Sequence, residues 1–374
     1  MICPFDIDNN KQIIEFNEQD PYNPENTLRG YVNRRQGHLY GALWITHVND
    51  IECPQIIYSA PKQHYPFDKN NEWDFPEYDS LELYEKLDGT CIISYNYSDK
   101  QGKKYLTYKT RLRPFLGTSQ YGNFFELWNE MRDKYPIIDK LCSNSGFNYV
   151  FELYGKRNKI LIDYDVPLDT KLIFVINSMF GYIHPPSFLK GIDIHVPLLI
   201  GWKENTTNNK EDYIEWQNKL ENSLEIDEEN QIMKGKEGLV WYFLKGSVAD
   251  QIKCKPPSVL KYHWSGDAIP YESIYTTVYN AFENFDEPTF DDVESLLSEE
   301  FEEGKISKSR VRIEKILGRV LFDKKFQHRL AIDYKKHKFN INKDKATCMR
   351  WFGKNYPKSE AHRIYNLLKQ YEEK

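Results

Sequence analysis

Four short stretches carry side chains that could do chemistry together. Lys86-Leu87-Asp88-Gly89 sets a primary amine two residues before a turn-forming Asp-Gly pair. In "FELYG", Glu152 lies between Phe151 and Leu153 in an otherwise apolar run, so its carboxylate must face polar surroundings or a partner. Glu237 stands just before the run "GLVWYF", and Lys253 and Lys255 flank Cys254. A lysine amine becomes a nucleophile once uncharged, a state that burial and nearby positive charge both favour. Two lysines that alternate along a strand point to one face, where they can hold phosphate oxygens and offset charge building up there. Each stretch also has a plain structural reading. A K-x-D-G string arises by chance in roughly one chain of this length in ten, and solvent-facing lysines on an edge strand or glutamates at strand ends are common.

These residues need a scaffold, and the first two-thirds of the chain reads as α+β. "TCIISYNYSDKQGKKYLTYKT" is a hairpin with its turn at Asp99 to Lys103. "YVFELYG", "KLIFVINS" and "EGLVWYFLKGSVADQIKCK" are short β-branched and aromatic runs. Between them, "FFELWNEM" and "KEDYIEWQNKLENSLEI" have helical spacing, as does the acidic run "ELYEK" that ends at Lys86. The polar segment from Trp202 to Lys236 reads as an exposed excursion between two strands. After about Trp264 the strand signals stop. "TFDDVESLL" opens with a Thr289/Asp292 capping box, and "SRVRIEKILGRVLF" continues the helical pattern. The expected boundary divides residues 1–264 from a helical 265–374.

The 374 residues, 40% hydrophobic and 15% aromatic, suffice for a large core, and no apolar run approaches a membrane span. The six cysteines form no C-x-x-C pair and read as reduced thiols. A cytoplasmic setting is expected, with no membrane partner, and a monomer is the starting assumption. The net charge of −6 hides an uneven distribution. Residues 265–304 hold twelve acids and no Lys or Arg, whereas residues 305–374 hold twenty Lys/Arg against seven Asp/Glu, an excess of thirteen. Such a basic module suits a polyanion as well as it suits a solvated helical surface.

Taken in order, "EKLDGT", "FELYG", "LIFVINS", "KEGLV" and "IKCKPP" resemble the motif series of the covalent nucleotidyltransferase superfamily of polynucleotide ligases and capping enzymes, over about Lys86 to Pro257. The resemblance implies an ATP-grasp-like nucleotidyltransferase core of antiparallel sheets flanked by helices, followed by an all-α C-terminal domain. It implies that Lys86 carries AMP from ATP, with Lys253 and Lys255 as catalytic lysines and Asp88 orienting Lys86 or starting the turn that positions it. Glu152 and Glu237 are its candidates for ribose contact and for Mg²⁺ or Mn²⁺, which takes few protein carboxylates. Ile176 and Val240 would cover the two faces of adenine. Arg111, with Lys109 as a second candidate, would contact nucleotide phosphate or ribose.

DNA ligases and capping enzymes follow this core with a β-barrel, whereas a helical tail resembles ATP-dependent RNA ligases. "TLRGYVN" and "APKQHYPFD" resemble upstream motifs of the phage tRNA-repair branch, placing Arg29 at the pyrophosphate and leaving Lys62 and His64 as alternatives for a basic loop position. "KLDGT" and "FELYG" are closer to nick-sealing RNA ligases. The expected function is joining of 5′-phosphate and 3′-hydroxyl RNA ends, a broken tRNA among the candidate substrates, in RNA repair. An ATP-dependent DNA ligase, a capping-type nucleotidyltransferase and a non-catalytic RNA-binding protein of this fold are the alternatives.

Overall fold

The computed structural model describes residues 3–7, 12–35, 37–67, 72–117, 123–158, 162–204, 209–227, 232–258, 269, 271–298, 301 and 303–372. The chain divides into two compact units, one of residues 1–266 with 283–286, the other of residues 267–282 with 287–374.

The first unit is built on three antiparallel sheets. An N-terminal sheet joins β1 (Ile13–Gln19), β2 (Thr27–Asn33), β3 (Leu43–Val48) and β4 (Ile51–Ile57) in sequence order. The central sheet uses β6 (Thr90–Ser98), β7 (Lys104–Thr110), β8 (Phe147–Tyr154), β9 (Asp169–Asn177) and β10 (Ile183–His184), in the order β10-β9-β8-β6-β7. The third takes β5 (Ser80–Lys86), β11 (Leu199–Glu204), β14 (Gly238–Lys245) and β15 (Val248–Cys254), in the order β11-β5-β14-β15. A small pair, β12 (Glu225–Asp227) and β13 (Ile232–Lys234), completes the set.

Sheet faces follow the period-2 alternation of apolar residues. Tyr84, Val240 and Tyr242 of the third sheet meet Ile93, Val150 and Ile176 of the central sheet in one buried cluster. The other face of the central sheet packs on helices α1 (Phe124–Lys134) and α2 (Ile137–Cys142) through Trp128, Met131 and Ile138. The other face of the third sheet buries Leu81, Leu83 and Trp241 against Tyr213 and Leu220 of α3 (Asn209–Glu221).

Two sequence expectations change here. "SLELYEK" is a strand: Leu81 and Leu83 enter one cluster and Tyr84 the other, a two-residue period that overrides the helix-like look of its acids. The segment after Trp202 is not simply exposed, because α3 buries Tyr213 and Leu220 under the third sheet. Residues 205–208 and 228–231 of that segment lie outside the described residues.

Between 271 and 372 every regular element among the described residues is a helix: α4 (Tyr271–Asn284), α5 (Phe290–Leu297), α6 (Glu303–Lys336), α7 (Lys345–Asn355) and α8 (Ala361–Glu372). Thr289 caps α5 reciprocally with Asp292, as the sequence pattern indicates. Leu330, Tyr334, Phe352 and Leu368 anchor a core formed by α6, α7 and α8.

Candidate active site

The strand ladder brings together residues far apart in sequence. Lys86 ends β5 opposite Gly238, the first residue of β14, and Leu239 pairs with Cys254 of β15. Continuing that register by one residue sets Lys255 across from Gly238, so Lys86, Gly238 and Lys255 form a row at the sheet's end. Glu237 steps off the row between the two lysines. Its Oε2 accepts from Lys86 Nζ at 2.6 Å and its Oε1 accepts from Lys255 Nζ at 2.9 Å. Glycine suits the middle of the row, since a Cβ on Gly238 would overlap the Cys254 carbonyl oxygen.

Glu237 is 4% exposed and the Lys255 side chain 6%, while Lys86 keeps 19%. Burial alone would raise the Glu237 carboxyl, but Lys255 and Lys86 outweigh it and hold it below the usual carboxylate range. Lys253 lies two pairing steps inward, opposite Val240, and is also buried. Its ammonium sits 4.4 Å from the centre of the Tyr65 ring. The loop carrying Tyr65 is tied to β15 by Lys253 N–H donating to the His64 carbonyl at 3.0 Å. Lys62, two residues before His64, is partly exposed on the same loop.

The central sheet supplies the opposing wall. Glu152 on β8 pairs with Cys91 on β6 and Lys171 on β9, sharing a face with Val150 and Ile93 that turns toward the third sheet. Burial pushes the Glu152 carboxyl up to about 7; Lys86 and Arg111 pull it down, Glu237 and Asp88 push it further up. Arg111, just beyond β7, therefore lies within electrostatic reach of Glu152, and it also lowers the Cys91 thiol that burial raises.

Asp88 starts the turn between β5 and β6. Its carboxylate accepts from Ile162 N–H at 2.7 Å, and its own N–H donates to the Tyr164 hydroxyl at 2.8 Å. The next residue must be small, because a Cβ on Gly89 would overlap the Leu153 carbonyl oxygen. The turn that follows Lys86 is thereby pinned to the strand carrying Glu152.

Not every sequence candidate joins this cluster. Lys109 points into the interior, where its ammonium donates to the carbonyls of Gly41 (2.9 Å) and Arg111 (2.8 Å) and to Ser59 Oγ (3.1 Å). It braces the backbone of Arg111 and offers no donor to a ligand in this arrangement. Ile176 is 0% exposed within the inter-sheet cluster, so an adenine could reach it only if the sheets parted; Val240 shares that cluster. Tyr58, Cys91 and Ile173 are the partly buried members of the same cluster, which sequence reasoning passed over. Arg29 on β2 stacks against His47 on β3, with nitrogen separations of 3.0 and 3.1 Å, and no hydrogen bond or ion pair among the described residues links it to Lys86. Tyr65 and Tyr164 were also missed; the aromatic after His64 was the available signal for the first.

Among the described residues, no group of three or more His, Cys, Asp or Glu side chains converges as a metal cage. A hard divalent ion that keeps most of its waters needs only one or two carboxylates. Glu152 suits that role: it is partly exposed, its charged form is disfavoured, and no lysine among the described residues bonds to it, whereas both Glu237 oxygens hold lysines.

No protein-family model and no curated protein matches the sequence. Among solved structures, the chain is similar to an archaeal ATP-dependent RNA ligase at 13% identity and a TM-score of 0.46, covering 85% of this chain and 76% of that one. It is similar to a chain assigned as an ATP-dependent DNA ligase from Aquifex aeolicus (13%, TM-score 0.45, 93% and 86%). It is also similar to a Naegleria gruberi RNA ligase variant solved with ATP and Mn (13%, TM-score 0.33, 49% and 50%).

Proposed function

We propose that this protein is an ATP-dependent RNA ligase that joins 5′-phosphate and 3′-hydroxyl ends. The observation that carries the reading is Glu237 held between Lys86 and Lys255, with Glu152 facing them from the second wall. Such a site supplies one amine at a cleft rim, buried cations for phosphate oxygens and a carboxylate partly free of lysine.

Lys86 Nζ, once it has lost its proton, attacks the α-phosphorus of ATP. A P–N bond forms, the bond to the bridging oxygen breaks, and pyrophosphate leaves. The AMP then passes to the 5′-phosphate of an RNA end, restoring the lysine, and a 3′-hydroxyl oxygen displaces AMP to leave a phosphodiester. Each step is in-line phosphoryl transfer, where positioning and charge neutralisation do most of the catalysis. Lys255 and Lys253 bind α-phosphate oxygens and stabilise charge developing there. Arg111 contacts the nucleotide, positioned by Lys109 through its backbone carbonyl. Glu152, rather than the lysine-bound Glu237, would hold a Mg²⁺ or Mn²⁺ ion, which supplies further neutralisation of the triphosphate when bound. The helical region after 271 supports RNA over the barrel-bearing DNA ligases and capping enzymes.

Incubation with α-labelled ATP and Mg²⁺ is expected to leave a covalent label that survives denaturation and is absent from Lys86→Ala. An unlabelled wild type, or equal labelling of the variant, rules this reading out. Sealing of nicked RNA duplex, cleaved anticodon stem-loop and single-stranded ends then ranks the substrates.

A further inference from the structure

Within the helical unit, Tyr271, Tyr275 and Tyr279 recur every four residues along α4 and are 41, 37 and 37% exposed. One-turn spacing lines the rings on a single strip, with centroids 5.9 Å apart for the first pair and 4.8 Å for the second. The helix is anchored by other residues, Ile274, Val278 and Ala281, which are fully buried. The tyrosines are therefore not the core-facing surface, and a contiguous row of half-exposed rings marks a recognition surface.

Cations bracket the row. At one end the Lys324 ammonium lies 5.3 Å and 5.2 Å from the Tyr279 and Phe282 ring centres. At the other, Arg312 donates to the Ile269 carbonyl at 3.1 Å, two residues before Tyr271. Arg312 belongs to an exposed row on α6, Lys308, Arg312, Lys315 and Arg319, whose spacing of four, three and four keeps it on one helical face. Two acids of this unit are already paired: Asp323 with Arg363 at 3.1 Å, and Glu287 with Lys325 at 3.0 Å.

We propose that the tyrosine ladder is a stacking platform for unpaired RNA bases, with the basic row of α6 taking the phosphates. Aromatic rings accept the face of any base, and a flanking basic track follows the backbone; together they are the chemistry of single-strand binding. A duplex hides its base faces and is read through shape and phosphates, which gives three exposed rings nothing to do. That the strand is RNA rests on the ligase reading above; that it is single-stranded nucleic acid rests on the ladder and its cations.

The test titrates the full chain into a fluorescein-labelled, unstructured RNA of about fifteen nucleotides, near the upper site size of single-strand folds. Anisotropy is read across a salt series, beside a blunt RNA duplex of equal length. The Tyr271→Ala/Tyr275→Ala/Tyr279→Ala variant should bind the single strand at least tenfold more weakly and lose much less on the duplex. The corresponding triple Phe variant should stay within about twofold of wild type, since ring faces persist. Lys315→Glu/Arg319→Glu should flatten the salt dependence. Wild-type affinity in the alanine variant, equal losses on both RNAs, or a phenylalanine variant as weak as alanine overturns the proposal. So does a wild-type dimer that the alanine variant dissociates, because a second copy then covers the ladder. Should the alanine variant fail to fold, the phenylalanine and charge-reversal variants decide, and an unchanged salt slope in the latter overturns it. ATP labelling of the wild type, run in parallel, separates the two readings: no label removes the ligase but leaves the binding result standing.

Discussion

Two buried lysine settings of the first unit behave oppositely. At the end of the third sheet, Lys255 and Lys86 share the two oxygens of one carboxylate. On β7, the edge strand of the central sheet, Lys109 meets among the described residues only neutral acceptors, two carbonyls and a hydroxyl. Burial disfavours charge in both places, but the first has a counter-charge and the second has none. Accordingly Glu237 is held ionised, whereas burial, with a further push from Arg111, brings Lys109 down to about 7. Burial alone therefore does not mark a lysine as chemical; the charge of its partners separates a site from a brace.

The largest effect should come from breaking the charged setting. Glu237→Gln leaves two ammonium groups sharing one amide, with Lys255 deeply buried, and removing one partner of a buried pair costs about 3 kcal/mol or more. Chemical denaturation should show that loss, and covalent labelling by ATP should fall at least tenfold. A Gln variant of wild-type stability and labelling would mean the ion pairs in this site are dispensable.

The neutral setting yields a smaller effect with a distinctive pH signature. Lys109→Met orphans two buried carbonyls and should cost about 2 kcal/mol at neutral pH. In the wild type, the unfolded chain holds the Lys109 proton up to its ordinary value near 10.5, while the folded chain releases it from about 7. Between those values the unfolded state binds more protons, so stability contributed by this site rises with pH. The Met variant should lack that rise in urea midpoints collected from pH 7 to 10. An equal slope in both proteins would mean that Lys109 stays charged and that the comparison fails.

The contrast also explains what could be read from the sequence. Lys86, Asp88, Gly89, Glu152, Glu237, Lys253 and Lys255 stand out as short local strings in a fixed order, and alternation places Lys253 and Lys255 on one face. What a local string cannot disclose is the partner. The Lys86–Glu237 contact depends on strands 151 residues apart in sequence pairing at one register. Lys109 shares parity with Arg111, yet β7 ends at Thr110, and the chain turns so that one points inward to carbonyls and the other toward Glu152. Ile176 was legible as apolar strand, but its complete burial depends on the facing sheet. "SLELYEK" misled because its acids suit a helix, while its strand character comes from being packed on both faces.

The smallest effect tests the residue between the two settings. Glu152 lies within electrostatic reach of Lys86 but among the described residues has no lysine bonded to it, and burial raises its carboxyl from 4.5 to about 7. Between those values the folded state binds more protons than the unfolded one, so this site's contribution to stability falls as pH rises, the opposite sign to Lys109 and in a lower window. Glu152→Gln should remove the decline between pH 5 and 7 while changing stability at pH 5 by only about 0.5 kcal/mol, as a neutral group replaces a largely neutral one. Added Mg²⁺ should act on the wild type alone, favouring the carboxylate and flattening the same decline even without nucleotide. A Gln variant that keeps the decline would move its origin to another carboxyl and remove Glu152 as the site's uncommitted acid.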